Sequence, residues 1–151
     1  MARPYFPMFV DLSQRRALVV GAGHIAARRA RVLTDFCGDI TVVAPGVSPE
    51  LEGLGLNILR RPFEAADLEG MDIVIAATDD AALNADIARR CRELGIPVNV
   101  VSDRSLCDFY FPGVALRGDV AVGVTASGAD HRLARRVTME VRRAIEEMVL
   151  E

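Results

Sequence analysis

The sequence predicts an α/β fold, a doubly wound parallel sheet with a short β/α segment after it, and three observations lead there. Short runs such as ALVV at 17–20 and ITVVA at 40–44 are apolar throughout, as strands buried on both faces of a parallel sheet are. Helical stretches with a one-sided apolar stripe fall between such runs, and this β/α alternation belongs to crossover-connected parallel strands. A glycine turn, GAG at 21–23, joins the first run to the first helical stretch.

The first strand, 17–20, is bounded by Arg16 and Gly21. Helical spacing begins at Ile25, with Ile25, Ala26, Ala30 and Leu33 on one side and Arg28, Arg29 and Arg31 largely on the other, and runs to near Gly38. The second strand, 40–44, is stopped by Pro45 and Gly46. LNILR at 56–60 reads as a short edge strand, and DIVIAAT at 72–78 as a fourth strand ending at Thr78. A helix from Ala81 to Leu94 is closed by Gly95, and IPVNVV at 96–101 supplies the fifth strand.

The last third has a different pattern. DVAVGVTAS at 119–127 alternates as a strand does, and a reverse turn at 117–119 pairs it antiparallel with FYFPGVAL at 109–116. From His131 to Leu150 the chain reads as one amphipathic helix, with Leu133, Val137, Val141, Ile145 and Met148 or Val149 as its stripe. Such a terminal helix needs a partner surface. The expected organisation is a sheet domain over 1–113 and an appended strand-and-helix segment over 114–151.

Composition narrows the function classes. With 151 residues, 51% apolar and 26% charged, the chain is one globular domain in size. A net charge of −3 gives no electrostatic footprint for nucleic acid, so no nucleic-acid partner is expected. All 18 basic residues are Arg, a composition that serves planar recognition of carboxylates or phosphates but also follows from coding bias. Cys37, Cys91 and Cys107 are odd in number and widely spaced, as reduced thiols are, and with His24 and His131 they make no metal-ligand spacing, so no metal is expected. The start, MARPYFPMFVDLSQRR, is too polar and Pro-interrupted for a signal peptide, and no run reaches the ~18 residues of a membrane span; the expectation is a cytoplasmic protein with no membrane partner.

The glycine turn carries the chemistry. Gly21, Gly23 and Ala26 form G-x-G-x-x-A between a strand and a helix. The first Gly allows the tight turn, the second lets backbone approach a pyrophosphate, and the small third residue lets helix and strand pack closely. This Rossmann-like arrangement points to a dinucleotide over a purely structural turn, with the backbone of His24 and Ile25 presented to it. An acidic residue usually ends the second strand and holds the ribose; here Ala44, Pro45 and Gly46 stand there, so the choice between NAD and its phosphorylated form lacks its usual marker. Thr78 and Asp79 lie at the carboxyl end of the fourth strand, where they can touch the cofactor, while Thr78, Asp79 or Asp80 can cap the next helix, and the two roles can coexist.

Taken together, PMFVDL, VVGAGHIAARRARVL, AATDD, NVVSDRSLCDFYF and VTASGADHRLARRV, which reach across nearly the whole chain, resemble the precorrin-2 dehydrogenase family of sirohaem synthesis, including the dehydrogenase/ferrochelatase module of sirohaem synthase. The resemblance implies NAD-dependent oxidation of precorrin-2 to sirohydrochlorin, in some members followed by iron insertion. It implies a homodimer, with 114–151 as the β/α dimerisation segment. It also implies a polycarboxylate substrate, for which Arg104, Arg132, Arg135 or Arg136 offer bidentate contacts. Asn99 opens N-V-V and is expected beside the cofactor.

The chain departs from that family at the residue after N-V-V, typically an Asp, which is Ser102 here with Asp103 next to it. Either Asp103 takes over the catalytic role from a shifted backbone, with Ser102 beside it, or the site is altered; alternatively Asp103 caps a turn before Arg104. Asp108 is expected to anchor its loop through backbone amides. The region at 128–131 lacks the family's Gly-Gly and Ser-Pro, which places ferrochelatase activity in doubt. The alternative is a catalytically altered homodimeric module that binds NAD or a tetrapyrrole as a sensor or carrier.

Overall fold

A computed structural model describes residues 4–148. Contacts divide them into two units: Val10–Tyr110, and residues 4–9 together with residues 111–148.

The first unit runs β1 (Arg16–Val20), α1 (His24–Leu33), β2 (Asp39–Val43), α2 (Pro49–Glu52), β3 (Asn57–Leu59), β4 (Ile73–Ala76), α3 (Ala81–Leu94) and β5 (Val98–Val100), with short 3-10 turns at Ala65–Leu68 and Arg104–Leu106. Its five strands pair in the order β3-β2-β1-β4-β5, all parallel. The strands' carboxyl ends are level, with Val20 beside Val43 and Ala76, and Ala76 beside Val100. Strand order reverses between β1 and β4, where open sheets of this kind leave a crevice for ligands.

Alternate residues of these strands face opposite sides. Leu18, Val20, Val74, Ala76 and Val98 pack with Ile87, Ala88 and Cys91 of α3. Burying Ile87 alone contributes about 2 kcal/mol, whereas the half-exposed i,i+4 Arg90–Asp86 pair on the same helix is of the kind worth about 0.5 kcal/mol. The apolar face, not the charges, seats α3. Asp80 caps its start, its Oδ1 accepting from Ala82 N and Leu83 N, and Gly95 closes it at φ 70°.

Elements end earlier than apolar pattern alone predicts. α1 stops at Leu33, not near Gly38, because the Thr34 hydroxyl donates to Arg31 O and Phe36 N bonds Leu33 O, tightening the exit. β4 stops at Ala76 because Thr78 is drawn toward α3, and β5 starts only at Val98 because Ile96 N bonds Cys91 O as part of the helix cap. α2 and the two 3-10 turns lie in stretches that show no periodicity in the sequence.

In the second unit, β6 (Gly113–Arg117) and β7 (Val120–Val124) form an antiparallel hairpin through Gly118 at φ 54°, and α4 spans His131–Glu147. Asp130 Oδ1 caps α4, accepting from Arg132 N and Leu133 N. A Cβ on Gly113 would lie 3.0 Å from Thr138 Cβ, so the missing side chain lets the hairpin lie this close to α4 at that point. Arg142 donates to Val114 O at 2.7 and 2.9 Å, and the Arg117 guanidinium donates to the carbonyls of Ile145 and Met148. The α4 stripe divides: Ile145 is buried and so is Thr138, whereas Leu133 and Val137 remain 40% and 38% exposed. Val149 and Leu150, expected to finish this helix, lie outside the described residues. Tyr5 N donates to Ser127 Oγ at 3.0 Å, and Ser127 holds a left-handed φ of 52°. Among the described residues no helix is long and apolar enough to cross a membrane.

Candidate functional site

The loops leaving β1, β2, β4 and β5 lie along one edge of the parallel sheet. The strand ladder carries on one step past the strands, through Gly21 N to Val43 O, Ala77 N to Val20 O, and Val101 N to Ala76 O, at 2.8–3.0 Å. Gly21 has φ 106°, and a Cβ there would lie 2.6 Å from the Ala77 carbonyl carbon and 2.9 Å from Thr78 N. The turn out of β1 is thus pressed against the turn out of β4, with no room for a side chain.

Gly23 differs. Its φ is −78°, and nothing lies within 4 Å of where its Cβ would be. It caps α1 without a side-chain bond, and no acidic residue stands in the first turn. The first amides of α1, at His24 and Ile25, and the positive end of the helix therefore meet open space, an arrangement that receives an anion. Ala26 is fully buried and lets α1 lie against the sheet.

After β2, Ala44 is buried while Pro45 and Gly46 are exposed, and none offers a charge. The acid missing there has a counterpart six residues on: Glu50 Oε2 lies 3.7 Å from His24 Nδ1, reaching the glycine turn from α2. Ser48 Oγ, in the intervening loop, is buried with no hydrogen-bond partner among the described residues. Neither residue stands out singly in the sequence. The signal was Ser48-Pro49-Glu50, a helix-start pattern that brings an acid back toward the turn.

Asn84, in the first half of α3, is 0% exposed and ties two of these loops together. Its Oδ1 accepts from Thr78 N at 3.1 Å and Thr78 Oγ1 at 2.7 Å, and its Nδ2 donates to Thr78 O at 3.0 Å and Ser102 Oγ at 3.1 Å. Thr78 is half-buried and Asp79 and Ser102 are exposed, while the capping role next to Thr78 falls to Asp80. Asp103 caps the 3-10 turn: its Oδ1 accepts from Ser105 N at 2.8 Å and Ser105 Oγ at 2.7 Å, and these bonds hold its carboxyl below the usual carboxylate range. An aspartate so held is ionised at neutral pH and a weak proton acceptor.

Asn99 points to the opposite face from its buried neighbours Val98 and Val100. It is 3% exposed; Arg29 donates to its Oδ1, and its Nδ2 donates to Phe109 O at 2.8 Å. Its amide is engaged inside the protein and not at the open edge. Burial there lowers the pKa of the Arg29 guanidinium. Asp108 anchors its loop as expected, accepting from Val98 N at 3.0 Å while its own N–H donates to Val98 O at 2.8 Å. Cys107 Sγ faces the Val100 backbone, at 3.1 Å from its N and 3.2 Å from its O, and burial pushes the Cys91 thiol up to about 12. Arg104 stands exposed in the 3-10 turn, while Arg132, Arg135 and Arg136 are exposed on α4 in the other unit. Among the described residues no three His, Cys, Asp or Glu side chains converge as a metal site.

Residues 8–113 match the family model described as "Putative NAD(P)-binding". The chain belongs to that NAD(P)-binding family. It is similar over most of its length to siroheme synthases: 43% identical over 137 residues to that of Pseudomonas putida, covering 88% of this chain and 30% of that protein. To the siroheme synthase of Methylococcus capsulatus it is 43% identical over 145 residues, covering 93% and 31%. The chain spans less than a third of the length of these curated relatives. Among solved structures, SirC, a precorrin-2 dehydrogenase, superposes with a TM-score of 0.80 at 28% identity, covering 93% of this chain and 70% of that one. The apo-structure of D-lactate dehydrogenase from Escherichia coli, with a TM-score of 0.52 at 17% identity, shares the fold.

Membership agrees with the geometry. The open cradle over Gly23, the uncapped start of α1 and the reversal of strand order beside them are the features that a dinucleotide's pyrophosphate requires.

Proposed function

We propose that this chain oxidises precorrin-2 to sirohydrochlorin with NAD, in siroheme or related tetrapyrrole synthesis. The observation that carries the reading is the pairing of an NAD(P)-binding edge with a 0.80 TM-score to a precorrin-2 dehydrogenase over 93% of the chain. When bound, NAD supplies the hydride acceptor. The chain's own residues bind and orient. Gly21, Gly23, His24 and Ile25 receive the pyrophosphate. Ala44, Pro45 and Gly46 border the adenosine half, where the nearby Glu50 carboxylate favours a ribose hydroxyl over a ribose phosphate by charge repulsion. Thr78, Asp79 and Ser102 border the other half, and Asn99 shapes the wall behind it.

Loss of a hydride leaves positive charge on the tetrapyrrole before a proton departs to solvent water. An ionised Asp103 suits stabilisation of that charge better than proton abstraction, given its depressed pKa. Exposed Arg104, next in the chain to Asp103, supplies a candidate partner for a substrate carboxylate. We further propose a homodimer, supported by an open groove of about 510 Å³ on α4, lined by Arg136, Val137, Glu140, Val141 and Ala144.

A second reading, a catalytically altered module that binds NAD or a tetrapyrrole, is favoured by one observation: the carboxylate beside Ser102 is occupied in capping its own turn. An anaerobic assay separates the two, with precorrin-2 generated in situ, NAD or NADP added, and the visible spectrum followed for sirohydrochlorin. The expected outcome is NAD-dependent turnover that falls at least about tenfold in Asp103→Asn, which keeps an acceptor for Ser105 but removes the charge. Absence of turnover in the parent, with turnover gained in Ser102→Asp, would establish the binding module instead.

A further inference from the structure

We propose that Ser102 donates a hydrogen bond to the nicotinamide half of the bound dinucleotide, and that Asn84 is the positioning residue that makes it a donor. The inference rests on the dinucleotide reading above and deepens it.

The two ends of the Asn84 amide face different partners. A backbone N–H can only donate and a backbone carbonyl can only accept. Thr78 N lies 3.1 Å from Asn84 Oδ1, and Thr78 O lies 3.0 Å from Nδ2, so the two ends of the amide are assigned without ambiguity. Nδ2 then meets Ser102 Oγ at 3.1 Å, and there the hydroxyl must accept. A serine hydroxyl has a single proton, and with a lone pair committed to Asn84 that proton is directed away from α3. Asn84 is 0% exposed, whereas Ser102 is exposed at the strand edge. A buried amide whose every bond is made does not swing freely, so it holds the hydroxyl orientation from below.

Position decides what receives the proton. Ser102 follows β5, the strand beyond β4 from the reversal of strand order. A dinucleotide with its pyrophosphate over Gly23 lays its two halves on either side of that reversal, adenosine over β2 and nicotinamide over β4 and β5. The nicotinamide carboxamide oxygen is an uncharged acceptor, and an uncharged, pre-aimed hydroxyl suits it. Ser102 is therefore a binding group and not a proton acceptor in the reaction.

The test is equilibrium binding, independent of turnover: NADH fluorescence titration and ADP-ribose calorimetry on the parent, Ser102→Ala, Ser102→Thr and Asn84→Asp. ADP-ribose shares the adenosine and pyrophosphate but has no nicotinamide. Ser102→Ala is expected to weaken NADH about 5- to 20-fold while leaving ADP-ribose affinity unchanged, and Ser102→Thr to stay within about twofold for both. Asn84→Asp is expected to match the Ser102→Ala loss, since a carboxylate accepts the Ser102 proton and withdraws it from the ligand. The proposal is overturned if Ser102→Ala binds NADH as the parent does, or loses ADP-ribose equally, which would make the pair a structural tie only. A parent that binds neither ligand would overturn the dinucleotide reading and this inference with it. Should Asn84→Asp not fold by circular dichroism, the NADH-against-ADP-ribose contrast in Ser102→Ala decides.

Discussion

Gly21 and Gly23 stand two positions apart and meet different constraints. The first is held at φ 106° against the Ala77 carbonyl, and the second is at an ordinary φ beside open space. Gly21→Ala should therefore cost about 3 kcal/mol in urea unfolding. Gly23→Ala should stay within about 0.5 kcal/mol of the parent yet weaken NADH binding about tenfold or more by filling the space the pyrophosphate needs. Equal destabilisation by both would make the second glycine structural. The motif itself was legible in the sequence because its spacing is local. The division of labour within it was not, since it depends on the exit of β4, a segment remote in the chain. Asn84 was invisible for the same reason: a single polar residue in an amphipathic helix becomes a hub only once β4 and β5 end side by side.

At the level of elements, strands and α3 were readable because apolar runs and end signals agree, as with Asp80 before α3 and Gly95 after it. Boundaries were not, because side chains outside the periodic pattern decide them, as Thr34 does for α1. The turn Ala65–Leu68 is a further case, an acidic stretch whose order comes from a closed ring of bonds. Arg61 donates to both oxygens of Asp67, and Glu64 N donates to Asp67 Oδ2 at 2.8 Å. The Arg61 hydrogen bond, foremost, holds the Asp67 carboxyl below its usual range. Because the folded pKa is depressed, the stabilisation is present above the unfolded value near 3.9 and is lost as pH falls through the folded one. Urea midpoints measured between pH 7 and pH 3 should thus fall less steeply in Asp67→Asn than in the parent; identical acid slopes would remove Asp67 as a source of the acid sensitivity.

For the molecule as a whole, the helix stripe at 131–148 foretold a need for cover, and the hairpin β6–β7 supplies only part of it through Thr138 and Ile145. Leu133 and Val137 keep their apolar surface outward. If the proposed homodimer uses that surface, light scattering should give twice the chain mass for the parent at micromolar concentration and a single chain mass for Val137→Glu, with the circular dichroism of both alike. A parent that scatters as one chain throughout would leave the groove on α4 without that role.

The hydrogen bond from Tyr5 to Ser127 has a practical outcome for anyone dissecting this protein into parts. The family match begins at residue 8, which makes the preceding residues look like dispensable leader when a shorter gene is designed. Starting at Val10 would keep every residue assigned to the nucleotide edge, yet it would remove the Tyr5 N–H that Ser127 Oγ accepts, at a residue already in a left-handed backbone. A tail trimmed at the amino end would thus be a lesion in the carboxyl-terminal hairpin and helix, and a tag fused there would report on that unit.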